Sequence, residues 1–322
     1  DAKTGKTMKS CSHSSGRLHH ILFSPDDRRL YAGAANGDVL VVDTADGHIL
    51  ATLRGHSTPV RSITLSPDAK TLISGDGSGV IHQWDVSSET ISSQTIASLS
   101  EQRFPGLVSD GLRHGKNWLG TRENNVVTLW SSKGKYQSGV GLDVVAPGGR
   151  VTAFDMSADG ELVAIATAGV GDKSEIVIID SSTRRPIKRF KLPRNEWAAE
   201  IRFHPDRQSV ALNERGKRIS IWDISVETPL QKVAFTLPSQ RLSTFDFSSD
   251  GRYLIVGTSR GQLVRWDLSG KELNSVKHEE ILPPSEISGE GIVAVRSVPN
   301  SPLFVASNMW AADLWDVQSM RR

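Results

Sequence analysis

Nine histidines, one cysteine and several Gly- and Ser-rich stretches are where this sequence could carry chemistry. Cys11 stands alone, so it forms no intrachain disulfide and belongs to no zinc ribbon or iron–sulfur site. No two His have the i, i+4 helical spacing with a carboxylate base that a metalloprotease helix needs, and His19-His20 could put only one ring on each face of a strand. No metal set and no cofactor is expected. Gly75-Asp76-Gly77-Ser78-Gly79 and Gly169-Val170-Gly171-Asp172-Lys173 are rich in glycine, but neither follows a strand and opens a helix, as a phosphate cradle must. Both read as turns. Gly5-Lys6-Thr7 lacks the upstream Gly of a phosphate loop. Ser109-Asp110-Gly111 and the Ser-rich run from Ser87 to Ser100 are not nucleophile elbows. The residues therefore predict recognition rather than catalysis, and a protein that is not an enzyme. One run, Arg184-Arg185-Pro186-Ile187-Lys188-Arg189-Phe190-Lys191, reads as an outer strand whose charges block edge pairing. Its functional alternative is a patch for an acidic partner, continued by Arg194.

The elements that must carry these residues are short strands in a repeat. Phe23-Ser24-Pro25-Asp26 is followed by Leu30-Tyr31-Ala32-Gly33 and then Val39-Leu40-Val41-Val42-Asp43. The same order returns at Leu65-Ser66-Pro67-Asp68 with Trp84-Asp85, at Phe203-His204-Pro205-Asp206 with Trp222-Asp223, and at Phe247-Ser248-Ser249-Asp250 with Trp266-Asp267. Looser copies run from Met156 to Asp180 and from Val298 to Asp316, and a degraded one ends at Trp130-Ser131. The unit ends near 42, 84, 130, 179, 222, 266 and 315, spacings of 42 to 49 residues that suit a four-stranded unit. Val39 to Val42 and Ile176 to Ile179 are continuous apolar runs, as strands buried on both faces require. Pro-Asp and Asp-Gly pairs supply turns, and Asn36-Gly37 is a strong hairpin signal. No long helical period appears.

The Ser-Pro-Asp turns, the four Trp-Asp pairs and Gly55-His56 ahead of Trp84-Asp85 resemble WD-repeat β-propellers over nearly the whole chain. The resemblance implies an all-β fold, a seven-bladed β-propeller of four-stranded antiparallel blades, with 1–322 as one domain. It also implies a hydrogen-bonded set inside a blade. His56, Ser74 and Trp84 fit that set, whereas Ser78 stands where the turn Asp is expected, and the set is expected to be incomplete in the other units. The last unit lacks an outer strand, and Thr4 to His13 resembles one, so residues 1–14 are expected to close the ring by pairing with the last blade.

Aligning the units on Phe23, Leu65, Met156, Phe203 and Phe247 puts Arg17, Pro59, Arg150, Trp197 and Arg241 in one column. In the propellers this chain resembles, that column opens the first strand at the ligand-binding face near the central channel. Three Arg and a Trp there would suit an acidic or phosphorylated peptide, through forked hydrogen bonds and flat apolar area. The leading expectation is a non-catalytic protein-interaction scaffold that works as a monomer or as a subunit of a larger complex. The alternative is a lactonase-like or exported β-propeller with an enzymatic site that no motif announces. Lys and Arg number 38 and Asp and Glu 36, a net charge of +2, which argues against nucleic acid as a partner held by bulk charge. No apolar run is long enough for a membrane helix. A cytoplasmic location is the default, with export left open because the chain begins at Asp1. Two long segments, 87–105 and 269–291, read as loops between units.

Overall fold

The computed structural model describes residues 14–66, 68–87, 100–103, 113–114, 118–123, 126–131, 139–142, 149–169, 174–193, 195–236, 241–269, 278–281, 291–292, 294–298, 301–307 and 312–320. These form seven antiparallel sheets in chain order, and no helix occurs among the described residues. The first sheet is β1 (Leu18–Phe23), β2 (Arg29–Ala34), β3 (Val39–Asp43) and β4 (Ile49–Leu53). The second is β5 (Val60–Leu65), β6 (Thr71–Asp76), β7 (Val80–Asp85) and β8 (Ser100–Arg103). The third is β9 (Arg113–His114), β10 (Trp118–Glu123), β11 (Val126–Ser131) and β12 (Gly139–Leu142). The fourth is β13 (Arg150–Met156), β14 (Leu162–Ala168), β15 (Glu175–Asp180) and β16 (Pro186–Lys191). The fifth is β17 (Ala198–Phe203), β18 (Ser209–Glu214), β19 (Arg218–Asp223) and β20 (Leu230–Thr236). The sixth is β21 (Leu242–Phe247), β22 (Tyr253–Thr258), β23 (Leu263–Asp267) and β24 (His278–Ile281). The seventh has three described strands, β25 (Ala294–Ser297), β26 (Leu303–Ser307) and β27 (Ala312–Asp316).

Each sheet is a meander, with neighbours in sequence paired in space. The positions 42, 84, 130, 179, 222, 266 and 315 are the next-to-last residues of the third strands, and an outer strand follows in six sheets. Residues 1–13, where the closing strand is expected, lie outside the described residues. The segments read as loops need correction: 87–105 contains β8 and 269–291 contains β24, the fourth strands of their sheets. Their sequences, Ser-Glu-Gln-Arg and His-Glu-Glu-Ile, have no apolar alternation, because an outer strand need bury little of itself.

Local hydrogen bonds explain why the repeat grammar recurs. In the first turn Ser24, Ser66, Ser157 and Ser248 donate to the Asp two residues on at 2.5–2.6 Å, and the N–H that opens the second strand donates back to the same hydroxyl. In the fifth sheet His204 replaces Ser, with Nδ1 2.8 Å from Asp206. After the third strand, Asp85, Asp180, Asp223, Asp267 and Asp316 each accept from a Ser hydroxyl two or three residues later. That bond is why the third strand ends in Asp: it closes the turn into the outer strand.

The apolar faces meet between consecutive sheets. Phe190, Ile176 and Leu212 pack between the fourth and fifth, and Phe235, Phe245 and Trp266 between the fifth and sixth. One cluster joins the two ends of the series: Ile21, Phe23 and Leu40 of the first sheet pack on Val298 and Val305 of the seventh. Burying one such side chain stabilises by about 1.5–3 kcal/mol. Close approach fixes small residues in the second strands: a Cβ on Gly33 would sit 2.7 Å from Val60, and one on Gly257 would sit 2.4 Å from Ile292, in each case across a sheet boundary.

Candidate functional site: a basic channel mouth

In six of the sheets the register places the start of the first strand beside the end of the second, as Leu18 beside Ala34 and Leu242 beside Thr258. The segments entering first strands and the turns between second and third strands therefore share one end of the molecule. Three positions of the aligned column have equivalent backbone environments. The carbonyls of Arg17, Pro59 and Arg241 accept equivalent hydrogen bonds from Ala35, Gly77 and Ser259 at 2.8–3.1 Å. Arg17, Arg150 and Arg241 are exposed and Trp197 is half-buried. The structure brings two of them together, with the Arg150 guanidinium 5.5 Å from the centre of the Trp197 ring. Stacking of this kind holds a cation over a flat apolar surface without neutralising it. Arg194 lies outside the described residues.

The same end carries cations that sequence alignment missed. Arg215, in the turn between β18 and β19, donates to the Asn195 carbonyl at 3.0 Å, and Arg260 sits in the turn between β22 and β23. Among the described residues none of Arg150, Arg215, Arg241 and Arg260 has a carboxylate within 4 Å, whereas Asp38 and Glu214 at this end are countered by Arg54 and Arg218. Turn residues vary in number and spacing between units, so no single column could have revealed Arg215 and Arg260.

Below the mouth is a cavity of about 330 Å³ lined by first strands. Five of those strands carry a β-bulge at one shared position, which leaves His19, Arg61, Thr152, Ala199 and Ser243 as the extra residues. All five line the cavity, as expected where a bulge re-aims a side chain. These inward-facing residues lie two positions after the aligned column, because strict alternation does not show which residue a bulge turns inward. The far wall carries the charged residues Glu200, Arg202 and Arg296. The Glu200 Oε1 accepts from Arg202 Nη2 at 2.6 Å and Thr244 Oγ1 at 3.3 Å, with Arg296 at 4.0 Å. Asp155 and Asp246 accept the backbone N–H of Phe203 and Ser297 in the next sheet, each at 2.9 Å, and so staple neighbouring first strands. Burial pushes the Asp246 carboxyl above the usual carboxylate range, against the pull of Arg296 and Arg202.

The buried set around Trp84 has an acidic member, which corrects the expectation built on Ser78. Its acidic member is Asp76: Oδ2 lies 3.2 Å from His56 Nδ1, while Oδ1 accepts from the Val80 N–H and from the N–H and hydroxyl of Ser78. The acid is displaced by two residues, and Ser78 is its partner instead of its replacement. His56 Nε2 is 2.7 Å from Ser74 Oγ, which also accepts from Trp84 Nε1 at 2.7 Å. The donors balance if His56 is neutral, with Nδ1–H toward Asp76 and Nε2 accepting from the Ser74 hydroxyl. Burial and the neighbouring His82 lower the His56 pKa to about 4, although Asp76 pulls it up. For Asp76, burial pushes upward but is outweighed by hydrogen bonds from Ser78 and Val80 and by the charge of His56, which hold the carboxyl below its usual range. The fifth sheet has a different set without His: Trp222 donates to Ser220, and Ser220 to Glu214, which pairs with Arg218. In the seventh, the buried Trp315 indole N–H has no partner among the described residues.

Among the described residues, no group of three His, Cys, Asp or Glu could hold a metal ion. No helix there is long and apolar enough to cross a membrane.

Comparison with known proteins agrees with this geometry. The profile of the WD domain, G-beta repeat, matches residues 47–85, the stretch that holds His56, Ser74, Asp76 and Trp84. Human WD repeat and HMG-box DNA-binding protein 1 is 32% identical over 107 residues, which cover 27% of this chain and 10% of that protein. The zebrafish (Danio rerio) intraflagellar transport protein 122 homolog is 23% identical over 275 residues, covering 81% of this chain and 21% of that protein. The chain thus spans a tenth to a fifth of the length of these relatives. The β-propeller domain of Cps50 (Swd1) from Myceliophteria thermophila has the same fold, with a TM-score of 0.77, 18% identity, and coverage of 95% of this chain and 99% of that one. This chain therefore has a β-propeller fold and, at residues 47–85, a stretch that matches the WD repeat; over the rest it is similar to WD-repeat proteins. Proteins of this kind generally mediate protein interactions.

Proposed function

We propose that this chain is a non-catalytic docking platform: a single seven-bladed propeller, its last blade completed by residues 1–14, that binds an acidic or phosphorylated protein segment across the channel mouth through Arg17, Arg150, Trp197 and Arg241. The observation that carries the reading is the Arg150–Trp197 stack, 5.5 Å from cation to ring centre, with its guanidinium exposed and outside any ion pair among the described residues. A side chain held over a ring has already lost much of its rotamer freedom, so less ordering cost is left for binding. Arg215 and Arg241 extend the positive field to the fifth and sixth sheets. Like charges gathered over a low-dielectric cavity favour an anionic partner, with an affinity that falls as salt rises.

The test is binding to an immobilised library of acidic and phosphoserine peptides, with matched peptides carrying Ala at the acidic positions. Salt-sensitive capture of acidic members by the wild-type chain supports the reading. Equal capture of the Ala-substituted peptides removes it.

A further inference from the structure

The channel carries an asymmetry that the rim does not explain. Of the five bulge residues, Thr152, Ala199 and Ser243 are small and uncharged, while His19 and Arg61 are neighbours across the boundary between the first and second sheets. Arg61 Nη1 lies 3.4 Å from His19 Nδ1, so the guanidinium donates to an imidazole instead of pairing with a carboxylate. Among the described residues no acid lies within ion-pairing distance of Arg61. The acid that lines the cavity, Glu200, is already engaged by Arg202, Thr244 and Arg296. Arg17 stands two residues before His19, and its charge also acts on that ring. The Arg61 guanidinium and the His19 imidazole thus face one side of a cavity of about 330 Å³, room for about ten waters at liquid density.

We propose that Arg61 and His19 form an oxyanion seat inside the channel, which takes a tetrahedral dianionic group of the phosphoryl class. The permanent charge of Arg61 and the charge His19 gains on protonation match two negative charges, and the forked guanidinium suits paired oxygens. With Nδ1 accepting from Arg61, the Nε2–H of His19 is free to donate to a third oxygen, and protonation of the ring adds a positive charge. Burial and the charges of Arg61 and Arg17 hold the His19 ring below its ordinary pKa. A bound dianion reverses the effect of both Arg, so binding takes up a proton and strengthens as pH falls through the ordinary imidazole range, about 6.5. The other groups facing this ring are His20 on its own strand, Arg296 on β25, and Glu200 and Arg202 across the cavity. The seat would receive the phosphorylated side chain of the segment proposed above and in that sense rests on that reading, but its test does not.

The experiment uses the full chain and sulfate, which stays a dianion across the titration, at an ionic strength held constant with chloride. Histidine ring resonances are followed by NMR between acid and neutral pH. The expected result is a saturable shift confined to His19 and its neighbour His20, a His19 titration moved upward by sulfate, and affinity reduced at least about fivefold in Arg61→Gln. Arg61 is exposed, so that variant should keep its fold. Acetate in place of sulfate should bind at least about tenfold more weakly, and equal binding of the two would overturn the dianion assignment. The charge-reversed rim variant Arg150→Glu/Arg241→Glu should respond to sulfate like the wild type while losing acidic peptides, which separates failure of the seat from failure of the rim. An unchanged His19 resonance, or full sulfate binding by Arg61→Gln, would overturn the proposal.

Discussion

Ser74→Ala tests the buried set at its joint. The substitution keeps the volume of the site, so no cavity arises and the whole effect is electrostatic. Two partners lose their counterpart at once: Trp84 Nε1, whose donor sits 2.7 Å from Ser74 Oγ, and His56 Nε2, which accepts at 2.7 Å. Trp84 is 0% exposed, and the side chains of His56 and Asp76 are also 0% exposed, so water cannot replace the hydroxyl without rearrangement. Each buried polar group left unpaired costs about 1–3 kcal/mol. The expected loss is therefore about 2–5 kcal/mol, read as a fall in the urea midpoint at unchanged m-value. Ser243→Ala, at an exposed bulge position, serves as the control and should stay within about 0.5 kcal/mol. A Ser74→Ala chain as stable as the control would refute the reasoning, because it would mean that the hydrogen bonds of Trp84 and His56 contribute nothing.

Three further outcomes are expected. The His56 pKa lies near 4 in the folded chain and about 6.5 in the unfolded one, so the unfolded state binds the proton first. Its contribution is fully present above pH 6.5 and is lost as pH falls toward 4, by about 3 kcal/mol in total; His56→Asn should flatten that stretch of the stability profile, and parallel profiles would contradict the assignment. Trp84→Ala should cost about 3–5 kcal/mol and Trp197→Ala clearly less, since Trp84 is fully buried and Trp197 only half; equal losses in denaturant melts would show the two positions to be equivalent. Removing residues 1–14 should lower the melting temperature of the whole chain by exposing a sheet edge, and an unchanged melt would remove those residues from ring closure.

The architecture was legible where the repeat rests on local chemistry. Ser-x-Asp turns and Asp-x-Ser endings are hydrogen-bonded motifs a few residues long, so they survive in sequence even where the strands between them diverge. Third strands such as Val39–Asp43 and Glu175–Asp180 were visible because burial on both faces forces a continuous apolar run. The outer strands β8 and β24 were hidden because a strand at the edge needs no such pattern. At the site, the Arg and Trp column was visible as a shared offset, but the inward-facing residues were not. A bulge adds one residue and turns His19 and Arg61 into the channel, which no count of alternation reveals. The acid of the buried set was missed for a similar reason. Asp76 ends β6 and reaches back to His56 from a position two residues before the expected one.

The claim that the channel mouth binds an acidic segment is tested most directly by titrating the acidic peptides captured by the wild-type chain against Arg150→Glu/Arg241→Glu, at low and at high salt. Both residues are exposed, so the double variant should melt within about 0.5 kcal/mol equivalent of the wild type. The prediction is binding by the wild type that weakens as salt rises, and none by the folded double variant. Full binding by the double variant, or wild-type binding indifferent to salt, would contradict it.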